Sequence, residues 1–174
     1  MSAKQANVWI ARKAMDAMTR EADQRAPLET GGILIGYRSL FTNEPVIAMA
    51  VGPGQHAIHD ACQFVPDHEY HVAVSSALYR ASGRRLVYLG DWHSHPGGGH
   101  SLSRLDRETL CRIARSKEAR APRPLMIIMA PGPEWTPRVW EAELRVKILF
   151  RQPLKPKLLS IHMIDDLEGT DLIS

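Results

Sequence analysis

The chain has 174 residues, 44% of them hydrophobic and 24% charged, with a formal net charge of +3. That length fits one domain able to bury a core without disulfide staples, and the composition is that of a soluble globular protein. The small, scattered arginine surplus argues against a nucleic-acid binder, which would gather it on one stripe.

Residues 4–24 carry Val8, Ile10, Ala11, Ala14, Met15 and Met18 among charges, a spacing that predicts an amphipathic first helix ended by Pro27. Gly31 to Gly36 reads as a glycine-flanked buried strand, and Pro45 to Val51 as a second strand after a polar turn at Thr42 to Glu44. Gly52-Pro53-Gly54 breaks the chain, and residues 55–66 look irregular. His68 to Ser82 is a second predicted helix, with Tyr70, Val74, Ala77 and Leu78 at helical spacing. Arg85 to His95 begins as a strand and is cut off by Pro96 and three glycines, after which Ser103 opens a third helix running to about Arg115. Leu125 to Met129 is a short apolar run that reads as a strand and also suits a helix. Pro131, Pro133 and Pro137 bracket a turn. Val139 to Phe150 alternates as a strand whose wetter face carries Val139 and Glu141. The tail past Arg151 is proline-rich and open to three readings: a short strand, a short helix or a binding segment. Strands alternating with helices, plus consecutive strands near the start, predict a single α/β domain with a mixed sheet flanked by helices. No run approaches the roughly 18–20 apolar residues of a membrane span. No apolar leader follows Met1, and Cys62 and Cys111 share no framework spacing, so the chain is expected in the cytoplasm with two free thiols.

The chemistry concentrates in Asp91-Trp92-His93-Ser94-His95-Pro96. Residues i and i+2 of a strand project from one face, so His93 and His95 present two imidazoles side by side. Such a pair can share a zinc ion at roughly 2.0–2.1 Å; the bland alternative is two strand-end histidines. The glycine-rich turn after Pro96 lets the third helix start beside the strand end, which would bring Asp106 to the third corner of a tetrahedron. Ser103-x-x-Asp106 is equally a helix-capping pattern, and both roles can hold together. A zinc site with an open water position needs an acid–base group outside the metal's own ligands. Glu29 is the candidate, although alone it reads as a solvated loop residue. Asp91 could orient a histidine, or simply be a strand-end acid. His68 and His71 lie three apart on a predicted helix, and His56 and His59 sit in the irregular segment; solvated side chains are the default for all four. Trp92 is expected to pack behind the histidine strand and Cys111 to be core.

Glu29-Thr30-Gly31-Gly32-Ile33-Leu34-Ile35-Gly36, followed by His93-Ser94-His95-Pro96, Ser103 and Asp106, resembles the JAMM (MPN-plus) metalloprotease signature in its prokaryotic JAB branch. The Gly52-Pro53-Gly54 turn and Phe64-Val65-Pro66-Asp67 look like that branch too, and the resemblance runs from about residue 8 to residue 150. It implies a JAMM/MPN domain of cytidine-deaminase-like architecture over residues 1–150, with residues 151–174 as a packed or partner-binding extension. It implies one Zn2+ held by His93, His95 and Asp106, Glu29 working the attacking water, and Ser103 stabilising the oxyanion. It further implies a zinc-dependent isopeptidase or peptidase that cleaves after the C-terminal glycine of a ubiquitin-like protein. The setting would be a bacterial ubiquitin-like conjugation (antiphage) system with operon-encoded activating and conjugating enzymes. Gly52, Pro53, Gly54 and Phe64 are the expected substrate-binding residues. Two alternatives are a peptidase releasing an amino acid from a sulfur-carrier protein, and a non-catalytic MPN scaffold, a type that usually loses the metal ligands present here. A nucleic-acid role, suggested for another bacterial branch with this motif, stands last.

Overall fold

The N-terminal segment is a strand followed by a helix, where the sequence predicts helix throughout. In a computed structural model that describes residues 6–142 and 155–165, Asn7–Ala11 forms β1 and Arg12–Arg25 forms α1. Val8 and Ile10 are fully buried on one side of β1, while Trp9 points the other way and donates through Nε1 to Glu44 Oε2 at 2.8 Å. Apolar positions 8 and 10 satisfy a period of two as well as a helical stripe. Pairing decides between them: β1 lies parallel to β3 (Pro45–Val51) through Trp9↔Val46 and Ile10↔Ile47. Helix α1 buries Ala14, Met18 and Ala22, one residue per turn, against the sheet.

β2 (Gly31–Arg38) is antiparallel to both β3 and β6 (Val87–Ser94), and β7 (Leu125–Ala130) runs parallel to β6. β8 spans Thr136–Glu141, so Pro137, expected in the turn, lies inside the strand. The expected continuation of this strand to Phe150 lies outside the described residues. The expected wetter face is also absent here: Trp140 is half-buried and Ala142 buried on one side of the strand. Val139 and Glu141 are buried, because the Glu141 carboxylate sits within 2.9 Å of Arg38 Nη1, Arg123 Nη2 and Lys157 Nζ. A carboxylate surrounded by three cations can be buried where an unpaired one could not.

The described part of the tail packs as two short strands, β9 (Lys157–Leu158) on β8 and β10 (Ser160–Ile164) parallel to β1. The sheet order is β10-β1-β3-β2-β6-β7-β8-β9. β9 and β10 are separated by Leu159 alone, whose N–H donates to Val139 O at 2.9 Å, so one segment ties together the two ends of the sheet. Residues 55–66 also carry more order than expected: Ile58–His59 (β4) and Phe64–Val65 (β5) pair as a hairpin separate from the main sheet.

Helix α1 covers one face of the sheet, over Leu34, Ile47, Trp92, Leu125, Ile127 and Met129. α2 (His68–Ala81) and α3 (Arg104–Arg115) lie on the other, over two separate apolar clusters. Ile33, Ile35, Val51 and Leu86 pack with Val74 and Leu78 of α2, and Met126 and Ile128 pack with Leu102 and Leu110 around α3. β6 passes between them. A bulge at Gly90, φ +147°, resets its alternation, so that Leu89 and Trp92, three apart, both face α1. Tyr88 and Asp91 are three apart on the opposite face, joined by a 2.7 Å hydrogen bond from Tyr88 Oη to Asp91 Oδ1. Asp91 and His93 therefore emerge in the gap between the two clusters.

Candidate metal centre

His93 is the penultimate residue of β6, and His95 follows the strand's last residue. The extended path is held beyond the strand end by Ser94 N–H donating to Thr30 O and His95 N–H donating to Met129 O, each at 2.8 Å. Ser94 points into the interior, where its Oγ accepts from Thr30 N–H at 3.1 Å. Trp92 is buried behind the histidines as expected, donating from Nε1 to Val51 O at 3.0 Å. This bracing turns both imidazoles to one side: His93 Nε2 and His95 Nε2 are 2.9 Å apart.

The tautomer of His95 follows from its other nitrogen. Nδ1 lies 3.0 Å from Gly99 O, and a carbonyl can only accept, so Nδ1 carries the proton and Nε2 presents a lone pair. The third group arrives from α3. Ser103 is its N-cap and Asp106 its third residue, and the two form a reciprocal capping box: Asp106 N–H donates to Ser103 Oγ at 3.1 Å, and Ser103 N–H donates to Asp106 Oδ2 at 2.6 Å. That bond occupies Oδ2 and leaves Oδ1 toward the histidines, 3.1 Å from His93 Nε2, while His95 Nε2 is 3.8 Å from Oδ2. Donor atoms at the corners of a tetrahedron with bonds of roughly 2.0–2.1 Å are about 3.3 Å apart. The His93–His95 and His93–Asp106 separations lie close to that figure, and one ligand atom from each of the three residues lies within 4.8 Å of the others, so the donor set fits a metal ion. Among the described residues, these three are the His, Cys, Asp or Glu side chains that group closely enough to hold one.

Burial raises the Asp106 carboxyl. The hydrogen bond and charge of His93, together with the bonds from Ser103, outweigh it and hold the group at about 2. A carboxylate ionised at all physiological pH, in the first turn of a helix whose dipole favours negative charge, is a ready cation ligand. Glu29 behaves in the opposite sense. Burial lifts it above the ordinary carboxylate range, His95 and His93 partly offset this, and the Asp106 charge adds to it. A raised carboxyl beside the metal-capable group is shifted in the direction that general acid–base work favours.

These residues share one cavity of about 790 Å³, lying between α2, α3 and the β4–β5 hairpin. Glu29, His93, His95, Ser103, Asp106 and Phe64 all line it. Gly52, Pro53 and Gly54 do not: Gly54 has φ +87° and a Cβ there would meet Asp67 Cβ at 2.5 Å, so the turn is fitted to the N-cap of α2. Asp91 accepts from Tyr88, and it lines the inner cavity with His71, Thr109 and Arg112. Thr109 and Arg112 went unnoticed in the sequence, although they follow Asp106 at steps of three, which puts them on its helix face. His71 is buried and donates from Nε2 to Gly52 O at 2.8 Å, in place of the expected solvated side chain. Cys62, exposed, sits at the cavity rim, and Cys111 is half-buried where full burial was expected; both thiols are free.

A family model described as prokaryotic homologues of the JAB domain matches residues 11–143. A probable metalloprotease of Sinorhizobium fredii is 41% identical over 148 residues, 83% of this chain and 90% of that protein. A CD-NTase/cGAS isopeptidase of Enterobacter hormaechei is 28% identical over 127 residues, 72% of this chain and 68% of that protein. The solution structure of a Desulfitobacterium hafniense protein superposes with a TM-score of 0.67 at 18% identity, covering 94% of this chain and 97% of that one, which establishes the shared fold.

Proposed function

This chain belongs to the family of prokaryotic JAB-domain homologues and is an enzyme of its metalloprotease type, and on that premise we propose that it is a zinc-dependent isopeptidase or peptidase cleaving after the C-terminal glycine of a ubiquitin-like protein. The observation that carries the reading is the convergence of His93 Nε2, His95 Nε2 and Asp106 on one point of a cavity that Glu29 also lines. Two imidazoles and one carboxylate are the ligand chemistry of a catalytic zinc with an open position. A zinc ion held there supplies a Lewis acid for the scissile carbonyl and acidifies a water to a pKa of about 7.

The chain's own groups do the rest. Glu29, raised by burial, takes a proton from the attacking water and returns it to the departing amine. Ser103 Oγ accepts from Asp106 N–H, so its own hydroxyl proton is free to stabilise the developing oxyanion. The His95 Nδ1–H bond to Gly99 O keeps that ring from turning. A Gly-Gly tail would bring no side chains into the cavity that the hairpin and the start of α3 line. The isopeptidase name of the Enterobacter relative supports cleavage of a protein conjugate; on our reading the substrate is ubiquitin-like and the setting is a bacterial conjugation system of the antiphage kind, with activating and conjugating enzymes as partners. No helix among the described residues is long and apolar enough to cross a membrane, in keeping with our reading of a cytoplasmic enzyme.

The test is a ubiquitin-like domain ending in Gly-Gly and joined to a fluorescent protein. The purified chain is expected to release the domain with a free C-terminal glycine by mass spectrometry, to stop on chelation, and to recover with zinc. Glu29→Gln is expected to fold, bind zinc and be inactive. Wild-type turnover by Glu29→Gln would sink the mechanism, and release of a single amino acid from a sulfur-carrier adduct alone would move the substrate class.

A further inference from the structure

Glu29 lies in the short connection between α1 and β2, where no helix or strand ladder holds its backbone. Its neighbour Thr30 is buried and anchored to the strand through Ser94. The peptide groups of Glu29 itself are held by the β4–β5 hairpin. Glu29 N–H donates to Asp60 O at 2.8 Å, and Glu29 O lies 2.9 Å from His59 Nδ1. Because a carbonyl can only accept, His59 must carry its proton on Nδ1. The histidine is itself fixed. Its ring packs on its cross-strand partner Phe64, centroids 5.5 Å apart. The Phe64 ring in turn reaches the first residue of β2, with Cε1 2.9 Å from where a Cβ on Gly31 would stand. The hairpin is closed by Asp60 N–H donating to Gln63 O at 2.9 Å. Residues 59, 60 and 64 thus grip residues 29 and 31 at three points.

We infer that His59 is a positioning residue for catalysis: its Nδ1–H bond to the Glu29 carbonyl, together with the Asp60 bond, sets the direction in which the Glu29 carboxylate leaves the chain and enters the cavity. The inference rests on the reading of Glu29 as the acid–base group. The backbone of a loop residue without a ladder is free to rotate about φ and ψ, and a small rotation there swings a glutamate carboxylate by an ångström or more. The hairpin removes that freedom before substrate arrives, which is how a base on a loop is preorganised.

The chemistry of the bond gives a discriminating test. An asparagine side-chain nitrogen stands at the same distance from Cβ as His Nδ1, whereas a glutamine nitrogen stands where Nε2 does. With the Gly-Gly fluorescent-protein fusion as probe, His59→Ala and His59→Gln are expected to lose about 10–100-fold in kcat, with zinc content, melting temperature and KM close to wild type. His59→Asn is expected to recover most of the loss. Two readouts need no turnover. Nitrogen NMR of the metal-free chain is expected to show neutral His59 as the Nδ1–H tautomer, and exchange of the Glu29 amide is expected to quicken in His59→Ala and slow again in His59→Asn. An Nε2–H tautomer, unchanged kcat in His59→Ala, or equal losses in the alanine and asparagine variants would overturn the inference. Should Glu29→Gln remain active, or the wild type leave the fusion intact, the functional reading falls, while the grip on Glu29 is still judged by the tautomer and the amide exchange.

Discussion

Gly31 faces His93 across the β2–β6 ladder, and its replacement by alanine measures how closely the metal centre depends on that pairing. A Cβ at this position would lie 2.4 Å from Trp92 O, 2.8 Å from His93 Cβ and 2.9 Å from Phe64 Cε1. Ordinary contact begins at 3.4 Å, so the backbone of the histidine strand must retreat by about 1 Å relative to β2. Phe64 can swing aside, but Trp92 O is backbone and cannot. Overpacking of this kind costs about 1–3 kcal/mol of stability, and a displacement of about 1 Å at a catalytic group costs roughly 100-fold in rate. Gly31→Ala is therefore expected to unfold at lower urea, to bind zinc more weakly in competition with a chromogenic chelator, and to turn over about 100-fold more slowly. Gly97→Ala, where a Cβ meets nothing within 4 Å, is the matched control and should keep wild-type stability and zinc affinity. Wild-type stability, zinc affinity and turnover in Gly31→Ala would refute the reasoning, because the strand spacing would then not set the site.

Glu141→Ala leaves Arg38, Arg123 and Lys157 facing one another without their shared carboxylate. Breaking a buried ion pair in this way is expected to cost about 3–5 kcal/mol by urea denaturation, and a loss under about 1 kcal/mol would show that the cations relax into solvent. Ser103→Ala removes the α3 cap and the free hydroxyl together, so it should lose about 1 kcal/mol of stability and about 100-fold in kcat; Ser103→Gly, which spares most of the capping, is expected to restore stability and not rate. In the metal-free protein Asp106 sits at about 2, below its ordinary 3.8. A depressed folded-state value stabilises above the unfolded one, so this contribution, about 2 kcal/mol, is complete above about pH 4 and disappears as pH falls through about 2. Acid titration of the metal-free chain should show that component, and Asp106→Asn should lack it.

The convergence of His93, His95 and Asp106 was legible because its determinants are local. His93-Ser94-His95 needs the strand alternation and little else, and Ser103-x-x-Asp106 writes its own cap, which is also what aims Asp106 Oδ1 at the histidines. The misread features depend on distant partners. Val8 and Ile10 suit a helix or a strand, and β3 and β10, the latter about 150 residues away in sequence, make the choice. The burial of Glu141 depends on Arg38, Arg123 and Lys157 arriving from three other segments. The Gly90 bulge determines that Asp91 and His93, and not Leu89, look into the cavity, and one glycine in a strand does not announce which way the alternation will resume. The hairpin that holds Glu29 is two residues per strand, too short for periodicity to reveal.

Diffraction from zinc-loaded crystals at energies on either side of the zinc absorption edge tests the account most directly. It is expected to show one anomalous peak per chain, within bonding distance of His93 Nε2, His95 Nε2 and a carboxylate oxygen of Asp106, with the Glu29 carboxylate facing the open side. A peak held by other residues, or none in crystals of protein that still cleaves the Gly-Gly fusion after exhaustive chelation, would contradict it.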